Sequence, residues 1–458
     1  MSLDACVAKM EAEGLPPIAI ETFAHYYRQL EAGETGLIAE EQIEPVTEVP
    51  DAQQLPDVED SDLLDRAVVI KLNGGLGTSM GMSGPKSLLE AKDGLTFLEL
   101  IGRQVLALRE RSGARVPLVL MNSFATRAPS MAALDPALAS DLPGDFVQNK
   151  EPKVGVEDLD PVSWPPNPEL EWCPPGHGDL YTALQTSGLL ELMLERGYRW
   201  AFVSSSDNLA AVLEPRILAW MASEGAPFVM EVADRTEADR KGGHVARRVG
   251  GSNSGRLLLR EVAQTPDEDL GAFQDVARHR YFNTNTIWFD LEAIAAELER
   301  RGGVIGLPLI RNRKTVDPSD KSSPEVFQIE TAMGAALDVV ERARALRVPR
   351  ERFTPVKTTN DLLALRSDAY EVTDDARVVL APERGGSPPF VDLDADHYKL
   401  VADFEPRLAA GAPSLRRCSR LVVRGDVTFG ADVIVEGDVE IRAEGGPVHL
   451  ADGTRLEG

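Results

Sequence analysis

The spacing of hydrophobic positions changes along this chain, and the changes divide it into regions. Near the start, Ile20, Phe23, Tyr27 and Leu30 recur at three- and four-residue intervals with polar residues between them, which predicts an amphipathic helix. An acidic, proline-containing stretch over residues 44–62 interrupts the pattern and reads as a linker or an irregular wrap. Residues 67–72 then make a short apolar run, followed by a glycine-rich loop. Next come a helical pattern carried by Phe97, Ile101, Val105 and Leu108 and a second strand over 118–121. Further strands are expected at 200–203, 228–232, 257–262 and 286–289, with helical patterns at 209–223 and 291–301. Strands alternating with helices predict an α/β domain built on a mostly parallel, mixed sheet.

The pattern after residue 382 is different. A turn-rich opening and a short helical stretch over 398–408 lead into brief apolar pieces separated by Gly-Asp, Phe-Gly and Glu-Gly turns. Those pieces are 421–423, 427–429, 433–435 and 439–441, a rhythm that predicts the stacked coils of a small β-helix. The expected division is a helical segment and linker over 1–62, a catalytic domain over 63–382 and a C-terminal domain over 383–458.

Charge narrows the class of partner. A net charge of −26 argues against nonspecific nucleic-acid binding and against an anionic membrane surface. An enzyme for polyanions on such a chain must gather its cations locally. Cys6, Cys173 and Cys418 lie far apart, so neither a thiolate metal cluster nor a disulfide framework is expected. Charged residues at Asp4, Lys9 and Glu11 exclude a signal peptide, and no uncharged apolar stretch nears the roughly 18 residues that span a bilayer. A cytoplasmic protein is expected.

The chemistry concentrates after the first strand. Lys71-Leu72-Asn73-Gly74-Gly75-Leu76-Gly77-Thr78-Ser79-Met80-Gly81 runs into Met82-Ser83-Gly84-Pro85-Lys86-Ser87, with five glycines between positions 74 and 84. Glycines let a backbone approach phosphate oxygens and turn several N–H groups toward one anion. A Walker A loop is excluded because Pro85 separates Gly84 from Lys86. A dinucleotide fingerprint is excluded because Met80 stands where its third glycine belongs and Asn122 where its acid belongs.

This loop resembles the signature of eukaryotic-type UDP-glucose pyrophosphorylase. Similar family blocks follow in order: Val119-Leu-Met-Asn-Ser-Phe124, Pro174-Pro-Gly-His-Gly-Asp179, Phe228-Val-Met-Glu-Val232, Phe282-Asn-Thr-Asn285, Pro355-Val-Lys-Thr-Thr359 and Val423-Arg-Gly-Asp-Val-Thr-Phe-Gly430. The resemblance runs from about residue 67 to the end. It implies a Rossmann-like nucleotidyltransferase domain that joins UTP to glucose 1-phosphate, releases pyrophosphate and uses Mg2+. Two anions must meet, so the chemistry demands cations and in-line placement rather than a covalent intermediate.

The resemblance also implies residue roles. Lys86 and Lys357 would be the catalytic cations. Leu72, Asn73, Gly74, Gly75, Gly77, Thr78, Gln148, Gly176 and Asp207 would hold the nucleotide, with the Gln148 amide matching the uracil imide edge. His177, Gly178, Asn208, Glu231, Gly243, Asn283 and Asn285 would hold the sugar phosphate. Asp207 would carry the metal, since Mg2+ takes one or two carboxylates with phosphate oxygens and water. Asp207 is alternatively the N-cap of a helix over 210–223. Ser205 departs from the asparagine usual in the family.

Alternatives follow the same lines. The runner-up is a uridylyltransferase for galactose or N-acetylhexosamine 1-phosphate, although Gly-Thr-Ser here replaces the Gly-Thr-Arg of those relatives. A non-catalytic sensor would be expected to have lost Lys86, Asp207 or Lys357, and an acyltransferase tail would need more coils. The tail stops short of the family's usual final strand, which points to a monomer, or to a homo-oligomer no larger than a dimer through the C-terminal domain.

Overall fold

A computed structural model describes residues 2–58, 60–251 and 253–458. Among these, a central sheet has ten strands, in chain order β1 (Ile43–Pro45), β2 (Ala67–Asn73), β3 (Leu118–Asn122), β4 (Asp145–Val147), β5 (Trp200–Ser205), β6 (Phe228–Asp234), β7 (His244–Arg248), β8 (Leu257–Arg260), β9 (Tyr281–Asp290) and β10 (Arg344–Arg347). The main path runs β1-β7-β9-β5-β2-β3-β4, with β6 paired to β9 and β10, and β8 to β7. The sheet is mixed. β5, β2, β3 and β4 pair in parallel, as do β6 and β10, whereas β9 is antiparallel to β5, β6 and β7.

The centre of the sheet is apolar because helices cover both of its faces. In β2 every residue but Leu72 is buried, and β3 is buried throughout. The predicted helix over Phe97, Ile101, Val105 and Leu108 spans Phe97–Ser112 and buries all four. The Thr96 hydroxyl accepts from the Glu99 N–H, and the Glu99 carboxylate accepts from the Thr96 N–H at 2.8 Å, closing a capping box. Gly113 ends the helix at φ 71°, the left-handed conformation that favours glycine. Each fully buried large apolar side chain in such a core contributes about 1.5–3 kcal/mol.

The N-terminal helices Ser2–Ala12 and Pro17–Glu31 bury Cys6, Met10, Phe23 and Tyr27 against Val154, Leu309 and Ile329. The acidic stretch that follows is a wrap. Its start, β1, pairs antiparallel with β7, and Asp51 makes a parallel bridge to Arg347 at the end of β10.

Several expected elements differ in extent, among them the helical stretch expected over 398–408, which is two short helices, Ala395–Tyr398 and Val401–Arg407. The helix predicted over 209–223 begins only at Pro215 and runs Pro215–Glu224, because the preceding backbone is pinned by contacts described below. The strand expected over 257–262 ends at Arg260. In the tail, 433–435 and 439–441 belong largely to one strand, Ile434–Arg442. It pairs in parallel with Ser414–Arg424 and Arg455–Glu457, and Val427–Phe429 pairs in parallel with Val448–Leu450. No helix among the described residues is long and apolar enough to cross a membrane.

Candidate active site

The parallel register of β2 and β5 aligns their carboxyl ends, with Leu72 opposite Ser205. Ligands of α/β sheets bind at that end. The glycine loop leaves β2 there and folds back on itself. Gly77 turns it at φ 63°, where a Cβ would also lie 2.9 Å from Met82 Sδ. Thr78 opens a 3-10 turn, and the Lys86 N–H donates to the Gly75 carbonyl at 3.1 Å, returning Lys86 to the mouth of the loop. A Cβ on Gly74 would stand 3.1 Å from both terminal atoms of the Gln148 amide, so glycine loop and predicted base reader are in contact. Asn73 points the other way. Its amide donates to Asn122 Oδ1 at 2.7 Å and Ser130 Oγ at 2.8 Å, tying β2 to β3.

Asp207 lies just past β5. Lys86 Nζ reaches its Oδ2 at 2.9 Å, Lys357 Nζ reaches the same oxygen at 3.0 Å, and Ser205 Oγ donates to Oδ1 at 2.7 Å. Lys86 also donates to the Val356 carbonyl. Burial alone would raise the Asp207 pKa, but Lys357 and Lys86 outweigh it and hold the carboxyl below its ordinary value. Asp207 is therefore an ion at neutral pH. It is not a helix N-cap, because Glu214 holds that position for the next helix.

Asn208 is fixed beside it. Its Nδ2 donates to the Arg352 carbonyl and its Oδ1 accepts from the Thr354 N–H, both at 3.1 Å. The amide thus secures the backbone leading to Lys357.

The loop 174–179 approaches segment 330–333 too closely for side chains. A Cβ on Gly176 would lie 2.6 Å from the Thr331 carbonyl oxygen, and one on Gly178 2.3 Å from Thr331 Oγ1. His177 Nδ1 accepts from the Met333 N–H at 3.0 Å, so the neutral ring carries its proton on Nε2. Burial, with Lys357 nearby, lowers the His177 pKa to about 4. The imidazole is thereby kept as a neutral donor.

Gly243, Asn283 and Asn285 come together. The Asn283 N–H donates to the Gly243 carbonyl at 2.9 Å, and its side chain exchanges two hydrogen bonds with Asn285, which sits at φ 55°. Glu231 is elsewhere. Its carboxylate accepts two hydrogen bonds from Arg352, at 2.7 and 2.9 Å, and one from Trp288 Nε1 at 2.9 Å, and the residue is 1% exposed.

Known proteins resemble this chain over most of its length. The family profile described as UTP–glucose-1-phosphate uridylyltransferase matches residues 20–436. The potato protein of that name is 40% identical over 399 residues, covering 86% of this chain and 81% of its own. This chain belongs to the UTP–glucose-1-phosphate uridylyltransferase family. Within that family, the yeast protein is 38% identical over 86% of this chain and 77% of its own. The fold is similar to a crystal structure of UDP-glucose phosphorylase from Trypanosoma brucei, with 46% identity, a TM-score of 0.91 and coverage of 100% and 98% of the two chains. It is also similar to a point variant of the Leishmania major UDP-glucose pyrophosphorylase, solved in complex with UDP-glucose, at 44% identity, a TM-score of 0.93 and the same coverage.

Three groups at this uridylyltransferase site escaped the sequence reading. Glu261 places its carboxylate against Gly243, where a Cβ would lie 2.4 Å from one oxygen, and beside Asn283. Arg352 neutralises Glu231. Asp179 binds Asn149 through both carboxylate oxygens. Each depends on a partner well outside its own stretch of sequence; Asp179 closes the Pro174–Asp179 block without a role of its own there, and Glu261 and Arg352 carry no local spacing signal.

Proposed function

We propose that this chain makes UDP-glucose and pyrophosphate from UTP and glucose 1-phosphate, with Mg2+ as cofactor. A phosphate oxygen of the sugar forms a bond to the α-phosphorus of UTP as the bond from that phosphorus to the bridging oxygen of the β-phosphate breaks. Pyrophosphate leaves with that oxygen. The attacking oxygen is already ionised, so no general base is needed. The observation that carries this reading is the meeting of Lys86 and Lys357 on Asp207 beside the glycine loop.

In this reading Lys86 and Lys357 supply positive charge where two anions must approach. Gln148 reads uracil from beside Gly74, and His177 Nε2–H donates to phosphate. Gly243, Asn283 and Asn285, joined by Glu261, form the sugar end. Asn208, Asn73 and Glu231 support this arrangement from behind through their bonds to backbone and side chains. The residues fit magnesium, since Asp207 is an ionised carboxylate beside the phosphate loop and Mg2+ needs only one or two such ligands. Bound by Asp207 and the phosphates, the ion would offset phosphate charge.

The test is to offer the purified protein UTP with a panel of sugar 1-phosphates, with and without a chelator, and to measure pyrophosphate and UDP-sugar. Preference for an N-acetylated sugar or for galactose 1-phosphate would overturn the substrate assignment, and full activity in chelator would overturn the metal. We read the chain as a cytoplasmic enzyme with the division 1–62, 63–382 and 383–458. We read its tail as a short β-helix, and its assembly as a monomer or dimer through that tail. An octamer by light scattering would refute the assembly.

A further inference from the structure

Asp179 follows the loop that presents His177, and it starts the helix Leu180–Thr186 without capping it. Its carboxylate turns instead to another segment. Oδ2 accepts from the Asn149 backbone N–H at 2.6 Å and Oδ1 from Asn149 Nδ2 at 2.9 Å, with both residues buried. A buried carboxylate is costly, and here burial raises the Asp179 pKa to about 7 against those two bonds. Glu151 lies close by, and burial, then Asp179 and Glu330, push its carboxyl up as well.

The bonded atoms define what the contact does. The Asn149 N–H belongs to the peptide unit that follows Gln148. The preceding peptide unit is held too, because the Gln148 N–H donates to the Asn122 carbonyl at 2.8 Å. With both flanking peptide planes held, the Cα–Cβ bond of Gln148 is aimed toward the glycine loop, where its amide stands against Gly74. At its other end Asp179 adjoins Gly178, whose N–H donates to the Thr331 carbonyl at 2.8 Å, and lies two residues from His177. One side chain therefore joins the segment beside the glycine loop to the segment that presents the imidazole.

We propose that Asp179 is a positioning residue for the nucleotide, which aims Gln148 at the base and sets its distance from the His177 loop. This rests on the reading of Gln148 as the uracil contact. An Asp179→Asn variant keeps the volume but faces the Asn149 N–H with at most one acceptor. Asn149→Ala removes the side-chain bond and keeps the backbone one, so a graded response follows.

The experiment titrates UDP-glucose into full-length protein by calorimetry, reading Kd and stoichiometry separately, and compares kcat/KM for UTP and CTP. Asp179→Asn is expected to raise Kd about tenfold or more, the scale of one charge-assisted hydrogen bond, with stoichiometry near one. The preference for UTP over CTP should fall with it, and Asn149→Ala should shift Kd by about threefold. A lowered stoichiometry with unchanged Kd and unchanged base preference would mean a merely structural role and overturn the proposal. Should Asp179→Asn fail to fold, Asn149→Ala with Kd and base preference unchanged would overturn it equally. Gln148→Ala separates the two levels. If that variant binds normally, the uracil assignment fails and the proposal with it; if it binds weakly while Asp179→Asn binds normally, the proposal alone fails.

Discussion

Lys71 Nζ donates to Ser204 Oγ at 2.7 Å across the parallel pair β2–β5, fully buried. The same ammonium donates to the Ala211 carbonyl at 2.8 Å. It therefore pins both ends of the segment that carries Asp207, with its pKa lowered by burial to about 7. Lys71→Met keeps the stem and removes both bonds. Displacing a reacting group by about 1 Å can cost 10²-fold in rate, so turnover should fall about 10- to 100-fold in a folded protein. Steady-state kinetics with circular dichroism on the same sample checks this.

Lys86 and Lys357 share one oxygen of Asp207 but differ in exposure, with side chains 12% and 59% exposed. Removing either should lower kcat by about 10²–10³-fold, the usual cost of a lost charge-stabilising donor. Their effects on stability should part. Lys357→Ala is expected to leave the melting temperature nearly unchanged, because exposed ion pairs contribute about 0–1 kcal/mol. Lys86→Ala should lower it measurably. Near-normal turnover in either variant would remove that lysine from the site.

His177 is expected to remain neutral through the physiological range, since its pKa is lowered to about 4 and Nδ1 is already accepting from Met333. Nitrogen NMR of the ring should show the Nε2–H tautomer and no titration above about pH 5.5, given that a pKa near 4 leaves only a few per cent charged there. An imidazole titrating near pH 6.5 would contradict the site geometry.

Arg352 and Glu231 form a buried ion pair beneath the site. Arg352→Met would leave the Glu231 carboxylate uncompensated, and breaking such a pair costs about 3–5 kcal/mol. Urea denaturation should show that loss. A change under about 1 kcal/mol would mean that Glu231 can turn to water or to substrate.

One contribution to stability should fall in mild acid. His244 is buried against His279, their rings stacked at 3.8 Å, with Arg235 and Arg260 nearby. Burial and then these neighbours hold its pKa well below the ordinary value. The unfolded chain therefore binds protons that the native one refuses once pH drops below about 6.5. The His244 contribution is complete above that pH and is lost progressively below it. Asp207, whose pKa is also lowered, adds a second loss in the acid range below its ordinary carboxylate value. Asp179 and Glu151, whose raised pKa values make the native state take up protons over the same range, act in the opposite sense, so the His244 term is read as a difference: between about pH 7.5 and about pH 5 the wild type should lose melting temperature relative to His244→Phe.

Local properties of the chain made much of this protein legible. Hydrophobic period placed β2, β3, β5 and the helix Phe97–Ser112, because burial on one or both faces leaves a repeating mark. The glycine loop declared itself by its density of glycines, two of which, Gly77 and Gly81, turn through the left-handed region that favours glycine. Residues whose meaning depends on distant partners were not readable in this way. Asn73, Asn208 and Glu231 carry the right chemistry for a ligand, yet the fold turns each toward protein atoms. Asp179 and Lys71 sit inside the quoted motifs, yet their roles as cross-ties appear only where segments far apart in the chain meet. Sequence alone determined which elements form and where the glycines and Lys86 gather, since those follow from nearest neighbours. Tertiary structure decided which polar groups face the cleft and which are consumed behind it, since a hydrogen bond depends on where its partner lies in space.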